Sequence, residues 1–262
     1  MTQARQPHKG DPDDKEFMMT LAKGLAVLGA FGRQRPTMTL SEAAEMTELS
    51  RATARRVLRT LTQLGYVEQD GRSFALSPKI LDLGFAYLST QSWIDRALPL
   101  MRELSERLGE SCSAAILQGN DIVYVARVPA RRIMSAALSV GSRLPALHTA
   151  LGRVMFGYLD EAEIWRRLKS QRIEAYTPQT ITDLQALFDR IRADRAQRFS
   201  IVDEELERGL RAIAVPVLDR SGQAVGAINL STHSTRTTRN EMREHFLPEI
   251  NRIADQLAAM TV

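Results

Sequence analysis

The segment from Ser50 to Gly65, SRATARRVLRTLTQLG, most constrains what this chain can fold into. With the 3.6-residue period of a helix, one side is apolar and consists of Ala54, Val57, Leu58, Leu61 and Leu64. The opposite side consists of Ala52, Arg55, Arg56, Arg59 and Gln63. Ser50 is a favourable N-cap and Gly65 a favourable stop, so both helix ends are marked. A basic face on a single helix is most often only solvated, so its neighbours must decide its role.

The neighbours of this helix predict a winged helix-turn-helix. Upstream, the run from Thr39 to Glu42 has the capping-box pattern that opens a short helix, and a turn at 47–49 follows. Downstream, two short strands at 66–69 and 73–76 flank Asp70-Gly71, which is a strong hairpin signal. A short helix, a tight turn, a basic helix and a hairpin wing, taken together, favour DNA binding over a merely solvated face.

The pattern also suggests which side chains contact DNA. We expect the N-terminal half of the basic helix to enter the major groove, where Arg55, Arg56 and Arg59 contact guanine edges or phosphates. The sequence does not decide which arginine contacts a base. Arg72 lies at the expected wing tip, where it can reach a phosphate or a minor groove. The remaining candidates on the helix, mostly for backbone contacts, are Ser50, Arg51, Ala52, Thr53 and Thr60.

Composition bounds the class of protein. A chain of 262 residues has room for two domains, and 44% hydrophobic with 25% charged residues is typical of a globular protein. The net charge is only +4, so basic character matters mainly where it is concentrated. The single cysteine, Cys112, cannot form an internal disulfide, which favours the reducing cytoplasm, and its apolar surroundings predict a core position. No stretch has the apolar length of a membrane span, and we expect residues 1–16 to be a disordered tail and not a secretory signal.

The rest of the chain predicts an α+β protein with two domains. A helix at 17–31 completes a winged domain over 17–76. Ser77-Pro78 opens a linker helix within 77–92, whose apolar stripe packs on the winged domain or on a second subunit. Residues 93–262 show hairpins with helices between them, which suggests an antiparallel sheet covered by helices. The expected strands are 113–117, 122–128, 135–140, 199–203, 211–218 and 224–231, and the expected helices are 94–108, 149–159, 161–170, 182–197 (opened by a capping box from Thr182 to Gln185) and 239–260.

Several segments, in order along the chain, resemble the IclR transcriptional regulators: 21–28 (LAKGLAVL), 58–61 (LRTL), 64–67 (LGYV), 141–146 (GSRLPA), 149–153 (TALGR), Glu204-Glu205 with Gly209, and 214–217 (AVPV). The resemblance extends from about Thr20 to the C-terminus. It implies a winged helix-turn-helix, a linker helix and a GAF-like effector-binding domain, assembled as dimers or tetramers. The runs at 125–134 and 140–146 are most similar to the branch that controls aromatic-acid catabolism through protocatechuate and the β-ketoadipate pathway.

A carboxylic acid effector requires apolar walls and a few donors. The run 144–149 enters a helix N-terminus, which favours an anion. The side chains expected to bind the acid are Arg127, Arg143 and His148, although each arginine is more often a surface ion-pair partner. The expected lining is Ser135, Leu138, Ala146, Leu210, Ala212, Asn229 and Ser231, of which the last four match the strand positions that line pockets in the family. Two positions depart from the family: His148 varies within this branch, and Asn229 stands where many relatives have serine.

Two alternatives remain open. The first is an enzyme, but the sequence contains none of the nucleophile-elbow, phosphate-loop or dinucleotide-binding motifs, and its four histidines and Cys112 lack metal-ligand spacing. We therefore expect no catalytic residue, metal or cofactor. The second alternative is a DNA-binding regulator whose second domain only oligomerises. The expected partners are a double-stranded DNA operator, a small organic acid, further copies of the chain and RNA polymerase.

Overall fold

A computed structural model describes residues 16–130 and 138–258. The described chain divides into two compact units, one ending at Ser89 and the other beginning at Thr90. Nearly all of the expected tail at 1–16 lies outside the described residues, as do positions 135–137 of the expected strand at 135–140. Within the described ranges, every helix is too short or too polar to cross a bilayer.

The first unit consists of four helices and a three-stranded antiparallel sheet. The elements are α1 (Met19–Ala30), β1 (Thr37–Thr39), α2 (Leu40–Met46), α3 (Arg51–Gln63), β2 (Val67–Asp70), β3 (Ser73–Leu76) and α4 (Ile80–Ser89). The strand order is β1-β3-β2, so the hairpin β2–β3 gains a third strand that the sequence analysis did not predict. β1 is only three residues long, which is too short for a period-two pattern to be visible.

The predicted caps of the helix-turn-helix are confirmed. The Thr39 hydroxyl accepts the Glu42 N–H at 3.3 Å, and the Glu42 carboxylate accepts the Thr39 N–H at 2.7 Å. At the start of α3, the Ser50 hydroxyl accepts the Thr53 N–H at 3.2 Å. Gly65 ends the helix with φ +79°, a conformation that costs a glycine little. The orientation of α3 is therefore fixed by local hydrogen bonds at its start and by a left-handed turn at its end.

The inner face of α3 forms the core of the first unit. Ala54, Val57, Leu58 and Leu61 are buried as predicted, against residues that include Val27 of α1. The prediction for Leu64 is wrong, because this side chain is 53% exposed. Leu64 is the C-cap residue, where the chain leaves the helix, so the helical period no longer determines its direction.

The predicted linker segment contains α4. The Ser77 hydroxyl accepts the Lys79 N–H at 3.2 Å and so stabilises the turn before the helix. None of the α4 residues is buried, and Leu81 and Phe85 are strongly exposed. Its apolar stripe therefore has no cover within the first unit.

The second unit is a six-stranded antiparallel sheet with helices on both faces. Its helices are α5 (Ser92–Leu108), α6 (Ala150–Phe156), α7 (Glu161–Lys169), α8 (Leu184–Gln197), α9 (Arg239–Glu241) and α10 (Leu247–Ala258). Its strands are β4 (Ser111–Gln118), β5 (Asp121–Val128), β6 (Arg143–Pro145), β7 (Ser200–Asp203), β8 (Leu210–Leu218) and β9 (Ala224–His233), in the order β6-β5-β4-β9-β8-β7. A 3-10 turn, Ala146–His148, precedes α6, and a π-helical turn, Met242–Phe246, connects α9 to α10.

Two details of the second unit correct the predictions. The strand next to β5 is β6, and none of residues 138–140, the described part of the expected strand, belongs to a strand. β6 is only three residues long and contains Pro145, and a proline just before a helical pattern is also typical of a helix start. The predicted capping box of α8 is also wrong. Asp183 caps this helix by accepting the Ala186 N–H at 2.8 Å, and Thr182 lies before the cap.

The two faces of the sheet have different cores. α6 and α8 cover one face, where the buried strand residues are mostly alanines, and α5 and α10 pack on the other. On the α5 face the Trp93 ring lies directly over Gly226, where a Cβ would come within 2.6 Å of the ring. Cys112 is completely buried as predicted, and desolvation raises the pKa of its thiol. Alanines thus lie at the centre of the sheet face that α6 covers.

Candidate functional site

The outer face of α3 forms a basic surface, which we define as Arg51, Arg55, Arg56 and Arg59. All four side chains are exposed. Within the described chain, none of them forms an ion pair, and α3 itself contains no acidic residue. Unpaired guanidinium groups are available for phosphates and for guanine edges, and the buried inner face of α3 keeps all four arginines outside.

The hydroxyl groups on α3 are largely used by the helix itself. The Ser50 hydroxyl caps the helix and lies 2.9 Å from the Thr53 hydroxyl, and the Thr60 hydroxyl donates to the Arg56 carbonyl at 2.9 Å. Thr60 therefore has no hydroxyl hydrogen left for a phosphate in this conformation. At Arg51 and Ala52, by contrast, the helix provides no acceptor for the first backbone N–H groups, which suits an anion.

The wing of the first unit carries one further candidate for DNA contact, Arg72. Arg72 is exposed and directly follows Gly71, whose φ of +55° permits the tight turn between β2 and β3. The structure therefore places Arg72 at the tip of the hairpin, as predicted. Together with the basic surface, this geometry can bind a polyanion by charge and can contact base edges from a protruding helix.

In the second unit, polar side chains form a row across three strands. Arg127 on β5 is paired with Ser113 on β4, which is paired with Asn229 on β9, and Asn229 is paired with Ala214 on β8. We call Arg127, Ser113 and Asn229 the polar row. The Arg127 guanidinium donates to the Ser113 hydroxyl at 3.0 Å, so both side chains lie on the same face.

The polar row lies among small residues on the face covered by α6. Ala115 and Ala227 flank it on one side, and Ala212 and Ser231 on the other. Ala115, Ala212 and Ala227 belong to the same core cluster as Ala146, which packs above the sheet. Small side chains on the floor, with an arginine at one end, are the features that a binding site for a small acid requires.

His148 ends the 3-10 turn next to this face and is almost completely buried. Its ring meets the Tyr176 ring edge to face, with centroids 5.2 Å apart. Desolvation, reinforced by the charge of Arg153, lowers the pKa of His148 to about 4, so the imidazole is neutral at pH 7. Its Nδ1 atom has no hydrogen-bond partner in the described structure.

Asn229 is the second unsatisfied group on this side of the sheet. Its side chain is 6% exposed, and Oδ1 is buried without a partner among the described residues. Buried polar atoms in folded proteins nearly always have a partner, so Oδ1 is available to a hydrogen-bond donor at this position.

The structure brings most of the predicted effector residues to this region. Ala146 and Ala212 are buried there, Leu210 and Ser231 are partly buried on the same strand face, and Leu138 packs against the same core. Arg143 is not brought there, because it is exposed at the sheet edge, where it donates to Gln118 and pairs with Asp121 at 3.5 Å. Ser135 lies outside the described residues.

The predicted anion-binding helix start at 144–149 is occupied by the protein's own groups. The Thr149 hydroxyl accepts the Gly152 N–H at 3.0 Å, and the Thr149 carbonyl accepts the Arg153 N–H at 2.9 Å. The N–H groups of this helix start are therefore partly used, and an acid would depend on side-chain donors.

Ser113 and Tyr124 are candidates that the sequence analysis missed. Tyr124 is buried in the same core, and burial raises the pKa of its hydroxyl. Tyr124 lies on this face because a β-bulge between Ala114 and Ala115 shifts the register and pairs Tyr124 with Ala115. Strict alternation from Arg127 along β5 places Tyr124 on the other face, so the sequence pattern alone does not find it.

A buried ion pair beside His148 was also missed. The Arg153 side chain is 0% exposed, and its Nη1 atom donates to Glu205 Oε1 at 2.8 Å. The same guanidinium donates to the Leu147 carbonyl, from Nη2 at 2.8 Å and from Nε at 3.2 Å. This bidentate pair ties α6 to the loop after β7 and fixes the 3-10 turn that carries His148.

The described residues offer no group of three or more histidine, cysteine or acidic side chains that could hold a metal ion.

Comparison with known proteins gives consistent matches to both units. Residues 20–71 match the IclR helix-turn-helix domain, and residues 85–259 match the domain described as bacterial transcriptional regulator IclR C-terminal. The chain is 44% identical to the Pca regulon regulatory protein of Pseudomonas putida, over 93% of this chain and 83% of the relative. It is 32% identical to the p-hydroxybenzoate hydroxylase transcriptional activator of Acinetobacter baylyi, over 96% and 95% of the two chains. The crystal structure of a protein described as a transcriptional regulator from Rhodococcus sp. RHA1 superposes with a TM-score of 0.83 and 41% identity, over 93% of this chain and 99% of that one.

Proposed function

This chain belongs to the IclR family of bacterial transcriptional regulators, and we propose that its second unit controls DNA binding in response to a small carboxylic acid. The chain is a sequence-specific DNA-binding regulator with a winged helix-turn-helix and an α/β second domain. Proteins of this family are regulators and in general not enzymes, and we propose that this one also has no catalytic activity.

In the proposed complex, α3 lies in the major groove. Arg55, Arg56 and Arg59 provide the contacts to base edges or phosphates, and Arg72 on the wing reaches the adjacent backbone or minor groove. Four exposed and unpaired arginines on a capped helix support this arrangement, as do the helix-start N–H groups at Arg51 and Ala52. Ser50, Thr53 and Thr60 have the smaller role of holding the helix in place beside the DNA backbone.

The effector is an aromatic acid or a metabolite of the β-ketoadipate pathway, bound between α6 and the sheet. The observation that carries this proposal is the polar row, in which Arg127 makes one hydrogen bond to Ser113 beside a floor of small residues. A guanidinium has five N–H donors, so Arg127 keeps enough of them to bind a carboxylate in bidentate fashion. The relative from A. baylyi, a p-hydroxybenzoate hydroxylase transcriptional activator, regulates an enzyme that acts on an aromatic acid, which supports the same chemical class here.

The remaining partners follow from this role. The regulator acts in the cytoplasm as a dimer or tetramer, on a double-stranded operator, and contacts RNA polymerase when it activates. The exposed stripe of α4 supports an assembly with a second copy, because Leu81 and Phe85 are left uncovered. In the alternative, the second unit only oligomerises and binds no acid.

The test is operator binding at one fixed salt concentration, with an operator selected from random DNA. Anisotropy titrations are run without ligand and with saturating 3,4-dihydroxybenzoate, 4-hydroxybenzoate or β-ketoadipate. We expect one acid to change the operator Kd by at least about 5-fold, since allosteric coupling is typically 5- to 150-fold. Arg127→Met removes the charge at similar length and should abolish this change while leaving ligand-free DNA binding intact.

The controls separate the two parts of the proposal. The double variant Arg56→Ala, Arg59→Ala should lose selective DNA binding, whereas Arg220→Ala, in an exposed turn of the second unit, should not. Full affinity and selectivity in the double variant would contradict the α3 interface. If no acid shifts the Kd and none binds by calorimetry, the second unit has only the oligomerisation role.

A further inference from the structure

The segment between the wing and α4 is hydrogen-bonded to the end of α3. Three consecutive carbonyls at this helix end each accept a hydrogen bond from the segment. The Lys79 ammonium donates to the Leu64 carbonyl at 3.0 Å. The Ser77 hydroxyl donates to the Gly65 carbonyl, and the Ser77 N–H donates to the Tyr66 carbonyl at 2.9 Å. We call the side chains of Ser77 and Lys79 the clasp.

The chemistry of the clasp suits the end of a helix. The last carbonyls of a helix lack partners within it, and a cation beside them interacts favourably with the helix dipole. The Lys79 ammonium also lies 5.2 Å from the centre of the Tyr66 ring, which adds a cation–π contact. Ser77 is buried, and its hydroxyl accepts the Lys79 N–H at 3.2 Å, so each clasp residue holds the other in place.

The same segment is bonded to the start of α4. The carbonyls of residues 77–79 accept the N–H groups of residues 80–82 at distances between 3.0 and 3.2 Å. None of the α4 residues is buried, so packing within the first unit contributes little to the direction of this helix. The bonds of the clasp therefore set the angle between α3 and α4.

We propose that the clasp, by setting this angle, determines the spacing of the two DNA half-sites that a pair of chains recognises. This inference rests on the proposed assembly of two copies through the exposed stripe of α4. When α4 joins the copies, the angle between α4 and α3 fixes how far apart the two α3 helices lie. Half-sites one helical turn apart are separated by about 34 Å, and one extra base pair changes the distance by about 3.4 Å and the direction by about 35°. Ser77 and Lys79 are thus positioning residues, which act on DNA through α3.

A direct contact between Lys79 and a phosphate is the alternative, because the Lys79 side chain is exposed. Loss of a phosphate contact weakens binding to every DNA alike, and it lowers the slope of log K against log salt concentration by about 0.9. Loss of the clasp has a different signature, because the angle matters only when two half-sites are bound at once. Binding to a single half-site therefore separates the two roles.

The experiment consists of anisotropy titrations of the full chain without acid, at one salt concentration. The DNA probes are the selected operator, the same operator with one base pair inserted or removed between its half-sites, and a single half-site. For the unmodified chain we expect either change of spacing to weaken binding by at least about 10-fold. The double variant Ser77→Ala, Lys79→Met removes both side-chain donors. Its spacing penalty should fall below about 3-fold, while its affinity for the single half-site stays within about 2-fold of that of the unmodified chain.

Two control variants should keep the full spacing penalty. Lys79→Arg retains a cationic donor at the clasp, and Lys169→Met removes the same charge from the exposed end of α7. If the double variant also keeps the full penalty, the clasp does not set the spacing. If its affinity for the single half-site falls as much as its affinity for the operator, the loss arises at α3 or at a direct contact, and the proposal is refuted.

The stoichiometry on the operator separates this inference from the proposed function. If one copy of the unmodified chain binds each operator, or the selected operator contains no repeated half-site, assembly through α4 fails and the inference fails with it. A change of operator Kd by an acid would still support the effector function in that case.

Discussion

The ion pair between Arg153 and Glu205 yields a quantitative prediction for the stability of the second unit. Arg153 is fully buried and Glu205 nearly so, and the guanidinium uses both nitrogen termini on the carboxylate. Glu205→Leu leaves the arginine charge buried without a counter-ion, and Arg153→Met leaves the carboxylate in the same position. Either single substitution should therefore cost about 3–5 kcal/mol. This is a large fraction of the 5–15 kcal/mol that typically stabilises a domain.

The double variant Arg153→Met, Glu205→Leu should be much more stable than the sum of the two single effects predicts. Both charges are removed together, and apolar side chains of similar length fill their volume. In the double variant the Leu147 carbonyl has lost its two donors from Arg153. Leaving this acceptor unsatisfied lowers the free energy of unfolding by about 1–3 kcal/mol. We therefore expect a net loss of about 1–3 kcal/mol, with a coupling energy of at least about 3 kcal/mol between the two sites.

Urea unfolding followed by tryptophan fluorescence measures the free energy of unfolding of each variant directly. The chain has two tryptophans, Trp93 and Trp165, and both belong to the second unit, so the signal reports on that unit alone. Arg166→Met is the control, because Arg166 pairs with Glu163 at the surface and should contribute at most about 1 kcal/mol. A cost below about 1 kcal/mol for Glu205→Leu, or a double variant as unstable as the sum of the singles, would refute the argument.

Three further predictions concern other parts of the chain. If Arg56 contacts a phosphate, Arg56→Ala should lower the slope of log K for operator binding against log salt concentration by about 0.9. If Arg56 contacts a base, the substitution should reduce the discrimination at one operator position by about 1–3 kcal/mol. An unchanged salt slope and unchanged discrimination would show that Arg56 is not part of the interface. The pKa of His148 lies near 4 in the folded chain, below its ordinary value of 6.5, so the unfolded chain protonates first as the pH falls. The free energy of unfolding should thus be highest above about pH 6.5 and decrease toward pH 4 by at most about 3 kcal/mol, and His148→Gln should flatten this dependence in urea titrations at several pH values. Gly152→Ala places a Cβ 2.2 Å from the Ala146 carbonyl oxygen and should lower the free energy of unfolding by about 3 kcal/mol or more. Gly24→Ala, with open space around it, should instead stabilise α1 by about 0.5–1 kcal/mol in thermal melts. Equal effects of the two substitutions would contradict the packing of the 3-10 turn.

The features that sequence analysis predicted correctly depend on neighbouring residues. The capping box from Thr39 to Glu42, the Ser50 cap and the turn at Gly71 each need only four or five consecutive residues, so their hydrogen bonds are implied by the sequence. The choice between Thr182 and Asp183 as the cap of α8 shows the limit of such patterns. Both residues are good caps, and only the entry of the chain into the helix selects Asp183.

The candidate site depended on information that local patterns do not contain. Arg127 and Asn229 were identified as single candidates, but their alignment with Ser113 follows from the registers of two strand pairs. Arg153 and Glu205 are 52 residues apart, and nothing near either residue indicates the partner. Arg143 occupies a family-like segment, yet alternation on the short strand β6 directs it outward to Asp121. Long-range pairing, which the sequence does not specify, therefore decided which candidates come together.

The deep burial of Cys112 has a practical consequence for spectroscopy. Its thiol is inaccessible and its pKa is raised, so maleimide reagents should leave the native chain unlabelled. A single cysteine introduced at an exposed position, such as Glu68→Cys on the wing, would then be the sole reactive group. Fluorophores or spin labels can in this way be attached one position at a time, without first removing the natural thiol.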